Sequence, residues 1–174
     1  MITSKKPVEC SEIELADFAA LVRAGGEVTK TGFDGRLKRA EALLFLEQDG
    51  CLQGIAAVKN PDKKYKEGVF AKAKSTIQSG IFVFELGWVF VLPSSRGGRL
   101  SYKLVEAAVS ASKGQPIFAT SRVDNIAMHK ALKAYGFTCH GETYPSSRGQ
   151  SQLKLFLHSG AQQGAPADAE KRRG

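Results

Sequence analysis

The sequence is short of the residues that build metal centres and disulfide scaffolds. Its three cysteines, Cys10, Cys51 and Cys139, are odd in number and form no Cys-x-x-Cys pair, which argues against a disulfide framework and against a zinc site. They read as reduced, partly buried small hydrophobes. The three histidines, His129, His140 and His158, include no i,i+4 pair, so no metal is expected. Long apolar runs are missing too. The longest candidate, Ile81 to Leu92, is broken by Glu85 and falls well short of the roughly 20 residues of a membrane span. No apolar segment follows the lysines of Met1 to Cys10, so no secretory leader is read and a cytoplasmic home without membrane contact is expected. Carboxylates are the minority charge, 17 Asp and Glu against 25 Lys and Arg, for a net charge of +8.

The 174 residues, 43% hydrophobic and 24% charged, suit one domain with one substantial core. That domain is expected over 1–158. From Ser159 the sequence "SGAQQGAPADAEKRRG" loses its apolar residues, and 159–174 reads as a disordered tail. Ser11 and Glu14 form a capping box for a helix that Gly25 and Gly26 stop. A short second helix is expected from Asp34 to Glu41. "ALLFLEQDGCLQGIAAV" holds two apolar runs around Asp49-Gly50, the signal of a tight hairpin. The strand Ile81 to Leu92 ends at Pro93, which cannot donate to a ladder. Leu100, Leu104, Val105, Ala108 and Ala111 then mark the apolar face of a helix. "PIFATS" reads as a buried strand, and Asp124 or Asn125 can cap a helix through Ala134 that Gly136 ends. His129 is expected on that helix's exposed side. "FTCHGE" and "QLKLFLH" are closing strands. The order predicts a mixed α/β domain.

The stretch "VFVLPSSRGGRLSYKL" places small residues between a strand and a helix. The first N–H groups of a helix have no internal acceptor and lie at the positive end of its dipole, so Arg96 to Ser101 can receive an anion. This is neither a P-loop, which needs Gly-Lys-Ser/Thr, nor Gly-x-Gly-x-x-Gly. It resembles the acetyl-coenzyme A site of the GNAT superfamily of N-acetyltransferases, where a strand often closed by proline leads into Gln/Arg-x-x-Gly-x-Gly/Ala. Arg96, Arg99 and Ser101 fall on that pattern, and "DNIAMHKALKAYGF", Asp124 to Phe137, is similar to the family's second segment. Arg99 replaces the usual glycine. Leu132 takes the place where many members carry a tyrosine that protonates the departing thiolate.

The resemblance implies a GNAT-like fold: a mostly antiparallel twisted sheet of about six to seven strands with about four helices, splayed between strand 81–92 and strand 116–121. It implies direct transfer of acetyl from acetyl-CoA, the acyl donor, to a primary amine. Val89, Phe90 and Val91 would pair with the pantetheine arm. The backbone of Arg96, Gly97, Gly98, Arg99, Leu100 and Ser101 would hold the pyrophosphate, and Asn125 would touch the arm from the other side. Glu85 is the candidate base, a charge inside an apolar strand that by alternation shares a face with Gly87, Val89 and Val91; its other reading is a structural carboxylate paired with a lysine or a backbone donor. Tyr135, one turn beyond Leu132, is the candidate acid, against a packing role. Trp88 and Tyr144 are expected to line the acceptor pocket.

Half of the excess positive charge sits in "KNPDKKYKEGVFAKAK", six lysines against Asp62 and Glu67. This segment reads as a solvated lysine-rich loop with one helical turn at most, or as a nucleic-acid contact through Lys63, Lys64, Lys66, Lys72 and Lys74. The acceptor amine could belong to an aminoglycoside-like or polyamine-like molecule, a protein lysine or N-terminus, or a charged tRNA. The rival expectation is a non-catalytic GNAT-like module that binds nucleic acid or a protein partner. Monomer and homodimer are both open.

Overall fold

The structure is a computed structural model that describes residues 1–26 and 31–160. Its regular elements run β1 (Ile2–Lys5), α1 (Glu12–Ala24), α2 (Phe33–Lys38), β2 (Ala42–Gln48), β3 (Cys51–Lys59), α3 (Lys63–Lys72), β4 (Phe84–Val91), α4 (Leu100–Ala111), β5 (Ile117–Arg122), α5 (Ile126–Ala134), β6 (Thr138–Pro145) and β7 (Gln152–His158). The strands form one sheet in the order β1-β2-β3-β4-β5-β7-β6. Every neighbouring pair is antiparallel except β4 and β5, which run parallel.

Local chemistry accounts for most boundaries. Glu14 N–H donates to the Ser11 hydroxyl, and the Glu14 carboxylate accepts from Ser11 N–H, closing the capping box of α1. Asp49 and Gly50 both take positive φ, 50° and 74°, the conformation of the two-residue hairpin turn that joins β2 to β3. Three elements depart from expectation. Edge strand β1 carries only one apolar residue, Ile2, too little for a sequence signal. The basic segment is a full helix rather than a loop: α3 has ten residues, is capped by Asp62, and turns Val69 and Phe70 inward while Lys63, Lys64 and Lys72 face out. Helix α2 is shorter than expected, ending at Lys38. Of the expected tail, Ser159 and Gly160 are described and 161–174 lie outside the described residues.

The sheet is covered on both faces. Leu44, Val58, Leu86 and Ile117 pack against Leu104 and Val105 of α4 and Leu132 of α5. On the opposite face Leu43, Phe45 and Ile55 meet Phe18 and Val22 of α1 and Phe33 and Leu37 of α2, while Phe70 of α3 packs with Phe82, Phe118, Tyr144 and Leu155. Burial of such side chains contributes roughly 1.5–3 kcal/mol each, which pins both helical layers to the sheet. The consequence for function lies at its centre. Register pairs join β4 to β5 only at Phe84–Ile117, Glu85–Phe118 and Leu86–Ala119. Past them the strands part, and a cleft of about 600 Å³ opens between them.

Candidate active site

At one end of the cleft β4 stops at Val91, and a short 3-10 turn over Pro93–Ser95 leads into the segment that starts α4. Among the described residues no acceptor meets the backbone N–H groups of Gly97, Gly98, Arg99, Leu100 and Ser101. Gly97 adopts φ 99°, and a Cβ there would meet nothing within 4 Å. The turn therefore presents a bare run of amide donors to open space at the helix's positive end. Arg99 is the N-cap, in the left-handed conformation at φ 54°, which costs a side-chain-bearing residue about 1–2 kcal/mol. Its guanidinium lies 5.6 Å from the Tyr102 ring centroid, turned along α4. Arg96 donates from Nε to the Val91 carbonyl at 3.3 Å and covers Phe90.

At the other end the chemistry is made by side chains. Trp88 has φ 53°, and the β3–β4 register slips there: Ala57 faces Gly87 whereas Ile55 faces Phe90. This bulge overturns the simple alternation expected for β4. Val89 and Val91 join Leu86 on the α4 side, and Trp88 and Phe90 turn toward α1. Glu85 and Gly87 stand opposite Lys59 and Ala57, so Glu85 shares its face with Gly87 and Trp88, not with Val89 and Val91. Glu85 is 3% exposed. Lys59 Nζ donates to its Oε2 at 2.7 Å, and the Tyr65 hydroxyl donates to its Oε1 at 3.0 Å. The Lys59 ammonium also lies 5.1 Å from the Trp88 ring centroid and 5.9 Å from that of Tyr65. Gly87 makes room for this: a Cβ there would come within 2.8 Å of Lys59 Cδ. Burial and the Glu85 carboxylate hold the Tyr65 phenol protonated far into the alkaline range.

The remaining expected residues divide. Asn125 lines the cleft, and its Oδ1 accepts from Met128 N–H at 3.2 Å as the cap of α5, which leaves the side-chain NH2 for a ligand. Tyr144 is not on the cleft wall. It is 4% exposed behind Glu85, its hydroxyl lacks a partner among the described residues, and burial followed by the Glu85 charge raises its pKa. Tyr135 is the C-cap of α5 and stands outside the cleft, packed at the α4–α5 contact beside Glu106 and Tyr102; one helical turn carries it past the wall that Leu132 reaches. His129 is buried rather than exposed, bonded through Nε2 to the Arg122 carbonyl at 2.9 Å and stacked near Phe156. Cys51 and Cys139 are exposed. Three of the five lysines named for nucleic acid are engaged: Lys66 donates to the Phe82 carbonyl, Lys63 lies 3.9 Å from Glu67, and Lys74 meets Glu142 at 2.8 Å.

Sequence reasoning missed Lys59 and Tyr65 as partners of Glu85, and it missed Ser121 and Arg148 on the cleft wall. The Ser121 hydroxyl is buried without a partner among the described residues. A signal existed for Lys59 alone, because a charge at the end of an apolar strand opposite another buried charge invites pairing, but the register was needed to see it.

Comparison with protein-family models and with curated proteins finds no match for this sequence. Solved structures do match. An acyl-CoA N-acyltransferase from Pseudomonas aeruginosa superposes with a TM-score of 0.66 at 16% identity, covering 91% of this chain and 99% of that one. A GNAT-family acetyltransferase from Streptococcus agalactiae gives 0.63 at 12% identity over 92% and 96% of the two chains. The chain has the GNAT fold. The structure of YncA from Salmonella typhimurium with its cofactor acetyl-CoA matches at 0.62 and 16% identity over 97% and 98%. Each of these matches covers more than nine-tenths of this chain. Among the described residues no helix is long and apolar enough to cross a membrane.

Proposed function

We propose that this protein is an N-acetyltransferase that moves the acetyl group of acetyl-CoA to a primary amine within a ternary complex. The observation that carries the reading is the run of five amides, Gly97 to Ser101, without acceptors at the mouth of the cleft. Backbone donors fixed in this way suit a pyrophosphate, and Gly97 leaves the space it needs. The β5-facing side of Val89 to Val91 has no strand partner, so its peptide groups can pair with the amides of the pantetheine arm. Ser121 of β5 and Asn125 at the start of α5 line the opposite side of the cleft. Acetyl-CoA supplies the acyl group as a thioester that an amine can attack without further activation.

Glu85 takes the proton from the incoming amine, directly or through water. Lys59 and Tyr65 each occupy one of its oxygens, and a carboxylate has lone pairs left for a third donor. No side-chain acid stands at Leu132, so the sulfur leaves as thiolate and is protonated by solvent. Trp88 and Tyr65 wall the acceptor end. Calorimetry with acetyl-CoA, followed by a thiol-release assay over a panel of amines, tests the reading: no heat and no thiol would end it. Glu85→Gln is expected to lower kcat/KM about a hundredfold and to flatten its pH profile; wild-type kcat/KM across pH would remove Glu85 as the base.

The pairing of Glu85 with Lys59, together with Leu132, favours one second reading, a non-catalytic module that binds acetyl-CoA. Tight binding of acetyl-CoA without acetyl loss to any amine would select it.

A further inference from the structure

The charges of the cleft wall bear on the acceptor, given the acetyltransferase reading above. The wall carries five cationic side chains, Lys59, Arg96, Arg99, Arg122 and Arg148, against two carboxylates, Glu85 and Asp124. Both carboxylates are already engaged: Lys59 Nζ lies 2.7 Å from Glu85, and Arg122 Nε lies 3.2 Å from Asp124. A polyamine or an aminoglycoside brings several ammonium groups, and each needs a carboxylate when taken from water. None is spare here. The Lys59 ammonium also fills the space between Glu85 and the rings of Trp88 and Tyr65 that a second substrate ammonium would need.

The cations divide between the two ends. Arg96 and Arg99 belong to the turn before α4, where the pyrophosphate charge is expected. Arg148 lines the same cleft from the loop between β6 and β7, just past Tyr144 and Pro145, and its charge acts on the Tyr65 hydroxyl that bonds Glu85. Its loop is held by bonds from Arg148 N–H to the Ser146 hydroxyl and from Ser146 N–H to the Ser151 carbonyl. Its guanidinium has no acceptor among the described residues. We propose that the acceptor is a primary amine carrying its own carboxylate, an amino acid or a close analogue, and that Arg148 receives that carboxylate while the amine points toward Glu85 and the thioester.

The transfer balances simply: the amine nitrogen forms a bond to the acetyl carbon, the carbon–sulfur bond breaks, one amine proton goes to Glu85 or water, and the thiolate is protonated by solvent. A guanidinium–carboxylate contact is charge-assisted and can be bidentate.

The test is a thiol-release panel of the common L-amino acids, their carboxamides, spermidine, kanamycin and a lysine-bearing peptide. At least one acid should be used with kcat/KM about ten- to a hundredfold above that of its own carboxamide. Arg148→Gln should erase that preference, chiefly through KM, and Arg148→Lys should restore part of it. Equal or better use of the carboxamide, preference for spermidine, kanamycin or the peptide, or no use of any acid overturns the proposal. So does an Arg148→Gln effect that falls on acetyl-CoA affinity instead. Calorimetry separates the failures: bound acetyl-CoA with the wrong acceptor removes only the acceptor class, and no binding removes the acetyltransferase reading beneath it.

Discussion

The two ends of the cleft are built from different materials. Before α4 the donors are peptide N–H groups, left without acceptors by the start of a helix, and any sequence that makes this turn with small residues presents them. Around Glu85 the groups that matter are side chains: Lys59 from β3 and Tyr65 from α3, with the Trp88 ring from the bulge in Glu85's own strand. The first end holds donors open for a ligand. The second is largely satisfied within the protein, so a substrate must compete there with contacts already made. The backbone end therefore depends on the conformation of its turn, whereas the side-chain end depends on which residues meet there.

The largest test of that contrast is Lys59→Met. It strands a carboxylate that is 4% exposed, which costs about 3–5 kcal/mol when a buried pair loses one partner; urea unfolding measures it. Adding Glu85→Leu to the same chain should recover most of the loss, and a double variant as unstable as the single would show that the pair is not the cause. A pH-borne effect comes next. The phenols of Tyr65 and Tyr144 are raised by burial and by Glu85, while an unfolded phenol ionises near pH about 10. Their contribution is thus complete below that pH and is lost as pH rises above it, because only the unfolded chain releases the protons. Alkaline unfolding curves of wild type and Tyr65→Phe should converge as pH climbs past about 10; parallel curves would contradict the assignment.

At the backbone end, Gly97→Ala should cost about 1–2 kcal/mol in stability from its positive φ alone, because no neighbour obstructs the new methyl group. The same variant should weaken acetyl-CoA in calorimetry; unchanged affinity would move the pyrophosphate away from this turn. The smallest effect belongs to the outer face of α3. Lys64→Ala and Lys72→Ala remove exposed charges that have no ion-pair partner among the described residues, so stability should stay within about 0.5 kcal/mol. Steeply salt-dependent polynucleotide binding that these changes abolish would restore a nucleic-acid role to that helix.

How much was legible follows the same division. The hairpin at Asp49-Gly50, the capping box at Ser11, the apolar face of α4 and the amide turn at Arg96 to Ser101 all rest on residues close together in the chain, and each could be read directly. The ten residues of α3 were hidden because their lysines mask a two-residue apolar contact, Val69 and Phe70. The facing of Glu85 was misread because one bulged residue, Trp88, reverses the alternation after it. Tyr135 was placed one turn from Leu132 correctly as a helix position, yet one turn on a helix is enough to leave a narrow wall.

The sequence alone determined where chain direction changes, which faces are apolar and where a helix would offer unbonded amides, since these depend on neighbouring dihedrals and on spacing within single elements. Only the tertiary structure decided which charge meets Glu85, that β4 and β5 separate after Leu86 and Ala119, and that Arg148 reaches the cleft wall. Those outcomes depend on strand register and on contacts between residues far apart in the chain, and a buried charge selects its partner by distance in space.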